Sequence, residues 1–283
     1  SVIDMSFPIA GDLSLTFGRT YSSYSGGQSG IGRGWSFFPA RLVDNKPDNP
    51  TWRAYCSGET LSHRNKLAFQ GQGGLYETFT WVCPDGFAPD DSAYHSTVFD
   101  NADRTQITVR LKDQTEYTFK DEFSGFNFKL LQIKDKNGNI ISYNYDASGK
   151  LANFTDNKGH TITISYNANN LISSIADWFG RTVSYAYDGQ GNLLAVTDPK
   201  LGVTTYVYDT NFKLISITDR EGKTVLTNTY TEEAKLATQK DAANITNTYS
   251  HDDVNRAVTV VDNQVPSRTL KTVYDTKARA LEQ

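Results

Sequence analysis

Cysteine is nearly missing from this chain: of 283 residues only Cys56 and Cys83 carry a thiol, and they stand in no CxxC or histidine-spaced pattern. A disulfide-stapled miniprotein is thereby excluded, and what remains is two separate buried thiols or one bridge in an oxidising compartment. His63, His95, His160 and His251 are scattered with no metal-ligand spacing, so no metal site is read. No apolar run approaches the ~20 residues of a membrane helix, and no membrane insertion is read. Lysine and arginine number 28 against 32 acidic residues, a net charge of -4 with no basic cluster, which implies no nucleic acid or anionic membrane as a partner. There is a single methionine, and leucine, alanine and glutamate at helical spacing are scarce. Against these absences stand 16 tyrosines and 15 phenylalanines, residues that favour strands, and the class reads as all-β.

A repeat organises the C-terminal half. Aspartate recurs at Asp135, Asp156, Asp177, Asp198, Asp219, Asp241 and Asp262, at intervals of 21, 21, 21, 21, 22 and 21 residues. Gly138, Gly159 and Gly180 follow the first three by three residues, and Gly202 and Gly222 keep that offset to within one position. Asp-x-x-Gly is a turn: the carboxylate bonds the backbone two residues on, and the glycine supplies the positive φ that closes a bulged hairpin. Ahead of each aspartate an apolar pair recurs with a spacing of three, as in Leu151/Phe154 and Ile172/Ile175, which fits either a bulged arm or one partly buried on both faces. Beyond it runs a strand of period two, as in Ile141/Tyr143/Tyr145 and Val183/Tyr185/Tyr187, with Thr161, Thr163 and Ser165 typical of the opposite, polar face. Stacked units set Tyr145, Tyr166, Tyr187, Tyr208, Tyr230 and Tyr249 in a packing ladder.

The units Tyr145-Asp146-Ala147-Ser148-Gly149-Lys150-Leu151 and Tyr187-Asp188-Gly189-Gln190-Gly191-Asn192-Leu193 carry a Tyr-Asp-x-x-Gly-x-Leu signature that resembles the RHS/YD-repeat family. The likeness covers roughly residues 109 to 283. Leu13-x-Leu15, Arg19-Thr20-Tyr21-Ser22-Ser23 and Gly32-x-Gly34-Trp35 resemble the head found ahead of such repeats. Two parts are expected: a β-rich head over 1–112 and an array of about 21-residue units over 113–283. The resemblance implies a curved antiparallel hairpin sheet spiralling into a hollow shell, as in RHS toxins, insecticidal toxin complexes and teneurins, and in bacteria such shells enclose a C-terminal toxin. The chain then reads as a piece of a secreted or cell-surface protein, with the rest of its own polypeptide and its cargo as partners. The family's self-cleavage segment is not in it.

Catalytic constellations are not found. Gly30-Ile31-Gly32-Arg33-Gly34-Trp35 lacks the lysine and strand-loop-helix context of a phosphate loop and reads as a turn that positions Trp35. Asp135-Lys136-Asn137-Gly138-Asn139 lacks the distal glutamate of a calcium loop. The pairs Asp121/Glu122, Glu232/Glu233 and Asp252/Asp253 point to opposite strand faces. The expectation is a scaffold, not an enzyme, with no cofactor. A β-structured carbohydrate-active enzyme would need two carboxylates facing one cleft. The alternative is a cell-surface module holding a glycan or a protein on outer aromatics. Trp178 and Tyr94 are its candidate contacts, while Trp52 and Trp81 read as head core.

Overall fold

The computed structural model describes residues 2–8, 13–23, 28–37, 41–44, 66–71, 75–82, 86–91, 95–101, 105–120, 127–264, 266–274 and 280–282. Cys56, Cys83, Trp52, Tyr94, His63, Asp121 and Glu122 lie outside them. Among the described residues every regular element is a strand. The head begins with β1 (Val2–Pro8), β2 (Ser14–Tyr21), β3 (Gln28–Ser29), β4 (Gly32–Arg33) and β5 (Trp35–Phe37), of which β1, β2 and β5 form a small antiparallel sheet. Then come β6 (Arg41–Asp44), β7 (Lys66–Gln70), β8 (Tyr76–Val82), β9 (Gly86–Pro89), β10 (Thr97–Asp100), β11 (Gln106–Arg110), β12 (Glu116–Lys120) and β13 (Asn127–Lys134). Each pairs with the next, and Asn127 and Phe128 at the start of β13 pair back with Val43 and Leu42 of β6, so these strands form a ring. The far end of β13 pairs with β14, and from there the sheet runs on as a meander.

The meander is β14 (Ile140–Tyr145), β15 (Leu151–Asp156), β16 (Thr161–Tyr166), β17 (Ile172–Ala176), β18 (Thr182–Tyr187), β19 (Leu193–Thr197), β20 (Val203–Tyr208), β21 (Leu214–Thr218), β22 (Thr224–Tyr230), β23 (Leu236–Asp241), β24 (Thr246–Asp252), β25 (Ala257–Asp262), β26 (Thr269–Tyr274) and β27 (Ala280–Glu282). Among the described residues β27 pairs only with β26, so the repeat sheet stays open. The pairing runs unbroken across residue 112, because β10, β11 and β12 belong to the same sheet as the repeats.

The apolar spacing of three is resolved as a bulge. Tyr145 pairs with Leu151 and Asn144 with Asn153, which leaves Ala152 as the extra residue. The same shift occurs at Tyr166, Tyr187, Tyr208 and Tyr230. The extra residue returns the strand to its face, so Ile172 and Ile175, or Leu193 and Val196, are buried together.

Both rims of the sheet use one turn. Asp135 Oδ1 accepts the N–H groups of Asn137 and Asn139, and Gly138 N–H donates to Asp135 O with φ at +82°. Asp146, on the opposite rim, repeats this with Ser148, Lys150 and Gly149. The left-handed position is less strictly glycine than expected: Leu201, Phe212 and Ala234 occupy it at φ +66°, +62° and +61°. In the fourth unit the glycine is therefore not the left-handed residue. Gly202 serves a different need, since a Cβ there would meet Asp198 Oδ2 and Arg220 Nε, both at 2.7 Å. Leu201 is 81% exposed, so Leu201→Gly relieves backbone strain and loses little packing. A gain of about 0.5–1 kcal/mol is expected, read as a raised thermal midpoint.

The turn aspartates also set an acid limit. The hydroxyl of Ser148 and the N–H of Lys150 hold the Asp146 carboxyl below its ordinary value, and the N–H of Gly202 does the same for Asp198. A carboxylate depressed in the folded state adds stability above its unfolded pKa of about 3.9 and loses it as pH falls through the lower folded value. The urea midpoint should hold from pH 7 to about 5 and fall steeply below about 4. Asp146→Asn should flatten that fall.

Candidate functional site

The inner face of the repeats is built from three inward positions per strand. On β14, β16, β18 and β20 the first two are buried, apart from half-buried Thr204, and include Ile141 and Tyr143, Ile162 and Ile164, Val183 and Tyr185, and Tyr206. The third, Tyr145, Tyr166, Tyr187 or Tyr208, is half-buried and packs on this core. Each of these hydroxyls donates to a carbonyl fifteen residues earlier, at Leu130, Leu151, Ile172 and Leu193, at 2.7–2.9 Å. Tyr230 reaches Leu214 O at 2.8 Å. Burial pushes the Tyr166 hydroxyl up to about 12, so it remains a neutral donor.

The sixth rung is not Tyr249. His251 Nε2 lies 2.8 Å from Leu236 O and takes the place of the tyrosine hydroxyl. Tyr249 falls at the middle inward position, in register with Tyr143, Tyr185 and Tyr206. His251-Asp252 is thus the counterpart of Tyr-Asp. The offset from the leucine, fifteen at every rung but Tyr230 where it is sixteen, identifies it, whereas tyrosine identity alone does not.

The head fills this inner face. Phe17 of β2 stacks on Phe154, with ring centroids 5.1 Å apart. Two residues further on, Arg19 donates from Nε to Asp4 Oδ2 at 2.6 Å and from Nη2 to the Tyr206 hydroxyl at 2.8 Å. Its guanidinium lies 5.0 Å from the Trp35 ring and 5.1 Å from that of Tyr206. The Tyr185 hydroxyl donates to the same Asp4 oxygen at 3.0 Å. The Arg19 and Asp4 side chains are only 2% and 5% exposed. Burial opposes the Arg19 charge, but Asp4 and Tyr206 outweigh it. Trp35 Nε1 donates to the Tyr208 hydroxyl at 2.8 Å, and the Tyr21 hydroxyl accepts the N–H of Leu214 at 2.9 Å. The expected hollow is therefore filled where β14 to β21 curve around β2.

The glycine-rich segment docks backbone to backbone. Ile172 N–H donates to Gly30 O at 2.7 Å and Arg33 N–H to Gly191 O at 3.1 Å. Gly32 has φ +105°, and a Cβ there would meet Gly191 O at 3.1 Å and the Tyr187 ring at 3.2 Å. Here glycine permits close approach, and Trp35 beyond it is buried.

Past the head, the inner face turns polar. Asn228 is buried and donates to Leu214 O at 3.0 Å, while Gln239 donates to Asn228 Oδ1 at 3.1 Å. Asn247, Tyr249 and His251 on β24 are half-buried. No group of three or more potential metal ligands occurs among the described residues. Trp178 is half-buried, stacked on His160 at 4.5 Å and tilted against Phe179 at 5.3 Å. The exposed aromatic of that turn is Phe179, at 72%.

A family model, the Teneurin YD-shell, matches residues 95–281, well over half of the chain. The chain belongs to this YD-shell family. No curated protein matches it. Among solved structures this YD shell is similar to the crystal structure of TcdB2-TccC3-TEV, at 15% identity and TM-score 0.41 over 77% of this chain and 14% of that one. It is also similar to the Photorhabdus luminescens Tc holotoxin pore, at 11% identity and TM-score 0.35 over 77% and 15%. The N-terminal domain of the effector protein SpvB from Salmonella typhimurium strain LT2 matches at 13% and TM-score 0.27 over 97% and 100%. The chain spans about one-seventh of those first two toxin-complex chains. The YD shell is a structural wall: its recurring residues are turn formers, packing residues and hydrogen-bonded tyrosines.

Proposed function

We propose that this YD shell forms the plugged end and adjoining wall of a secreted or cell-surface compartment that encloses polypeptide cargo carried by the same protein. The change of character along the inner face carries this reading. From β14 to β21 it is apolar and covered by the head, whereas at β22 to β24 Asn228, Gln239, Asn247, Tyr249 and His251 enter it beside half-buried Leu226, Tyr230 and Leu236. A face in which amides, a hydroxyl and an imidazole interrupt the apolar lining suits a water-filled chamber, because it offers a contained chain hydrogen bonds and less apolar surface to adhere to. The head and the repeats act as parts of one body, β1 to β5 supplying the plug and the continuous sheet from β6 onward, which crosses residue 112, the wall.

The test uses the chain with the sequence that follows it in its gene. Protease digestion of the downstream segment should slow about tenfold or more relative to the same segment expressed alone. Equal digestion rates would remove the compartment reading. The alternative, a surface module that binds glycan or protein, rests on the exposed rim aromatic Phe179.

A further inference from the structure

We infer that the cleft between the turns Asp209–Lys213 and Thr231–Lys235 is a binding site for a short polyamine. A cavity of about 470 Å³ opens there, where β21 and β22 part: their pairing ends at Ser216 and Thr227 and does not continue toward the two turns. That volume suits a small molecule. Ser216, Thr227 and Thr229 line it with hydroxyls, and Ile215, the extra residue of the bulge between β20 and β21, adds an aliphatic surface beside Tyr230.

The two turns stand two strands apart, or about 9.6 Å, and each brings a carboxylate to the cavity. Asp209 Oδ1 accepts the N–H groups of Asn211 and Lys213 at 2.9 and 2.8 Å, which leaves Oδ2 for a ligand. In the following turn the aspartate of the repeat is replaced by Thr231, whose hydroxyl accepts the Lys235 N–H at 3.3 Å. The acids come one and two residues later. Glu233 is engaged by the Thr231 side chain, whereas Glu232, which lines the cavity, is exposed and bonds none of the described residues. Lys213, the one cation among the lining residues, donates its ammonium to the Ser23 carbonyl of the head. A polyamine places a terminal ammonium on Asp209 and another on Glu232, gives its inner N–H groups to the hydroxyls between them, and lays its methylenes on Ile215 and Tyr230. A neutral chain of the same length finds no charge partner, and a compact dication cannot reach both turns.

Calorimetric titration of the whole chain with spermidine tests the assignment, with triethylene glycol, an uncharged chain of equal length, and Mg²⁺ as controls. One equivalent of spermidine should bind saturably, with triethylene glycol at least about tenfold weaker and affinity falling as salt rises. Glu232→Gln, at an exposed site, should leave the unfolding midpoint in place and weaken binding about fivefold, the most that an exposed ion pair contributes. Asp209→Asn keeps an oxygen for the two N–H groups of its turn and should weaken binding as much. Thr227→Phe removes no charge but fills the cleft, and it should abolish binding. Ser216→Leu, beside it, serves if Thr227→Phe shifts the midpoint. Binding that survives the filling of the cleft, or Mg²⁺ that displaces spermidine at equal concentration, would mark diffuse charge attraction and overturn the site. So would the lack of any saturable binding of spermidine.

Discussion

Replacing Arg19 with alanine is expected to destabilise the protein by about 3–5 kcal/mol, the range for leaving one member of a buried ion pair alone. Asp4 would then sit beneath the repeats, 5% exposed, with the Tyr185 hydroxyl as its one remaining side-chain hydrogen bond among the described residues. The guanidinium also bridges the rings of Trp35 and Tyr206, so alanine removes packing between head and repeats as well. The double change Arg19→Met with Asp4→Leu removes both charges and keeps most of the volume. It should cost less than Arg19→Ala alone, because no uncompensated charge remains. Urea unfolding of the three proteins at neutral pH is sufficient. A double variant that loses as much as or more than the single one would show that the pair contributes through net attraction and not through avoided desolvation.

The repeat was legible because its information is local. An aspartate that caps its own turn, a residue with positive φ three places on, and a tyrosine bonded fifteen residues back all lie within one unit, and period alone exposes them. Where one residue type substitutes for another, period succeeds and identity fails. Leucine stands in the left-handed position at 201, and histidine replaces the ladder tyrosine at 251. The spacing of three fits two geometries on paper, and only strand pairing shows the bulge at Ala152 and its counterparts. The place of the head was illegible for a different reason. Arg19 meets Tyr206 across 187 positions, and Tyr21 meets Leu214 across 193. No pattern in either segment encodes that partner. Arg19 lies in a segment that resembles the family's head, but nothing there or around Asp4 announces their pairing, because a buried ion pair has no sequence signature apart from the fold that buries it. Trp178 was a fair candidate, but the turn geometry exposes its neighbour instead. At this tip Trp178 lies half-buried on His160, while Phe179 is open to solvent.

Phe154→Ala should cost about 3–5 kcal/mol, against less than about 0.5 kcal/mol for Thr163→Ala on the exposed face. Phe154 is 1% exposed and is packed between Phe17 from the head and Tyr143 from its own sheet, with centroid distances of 5.1 and 5.7 Å. The same reasoning assigns Phe17→Ala, at 2% exposure, a loss of similar size, although the two rings stand 137 positions apart in the chain. Since the rings share one contact, the losses should not add: the double variant should fall short of the sum by about 0.5–1.5 kcal/mol, the worth of a stacked aromatic pair beyond area burial. Chemical denaturation followed by tyrosine and tryptophan fluorescence would report both the midpoints and the number of transitions. A single transition that shifts in concert for Phe17→Ala and Phe154→Ala is the behaviour of a head that belongs to the repeat core. Two transitions, with Phe17→Ala moving only one, would mean that the head folds by itself and docks afterwards, and the plug would then be a separable module.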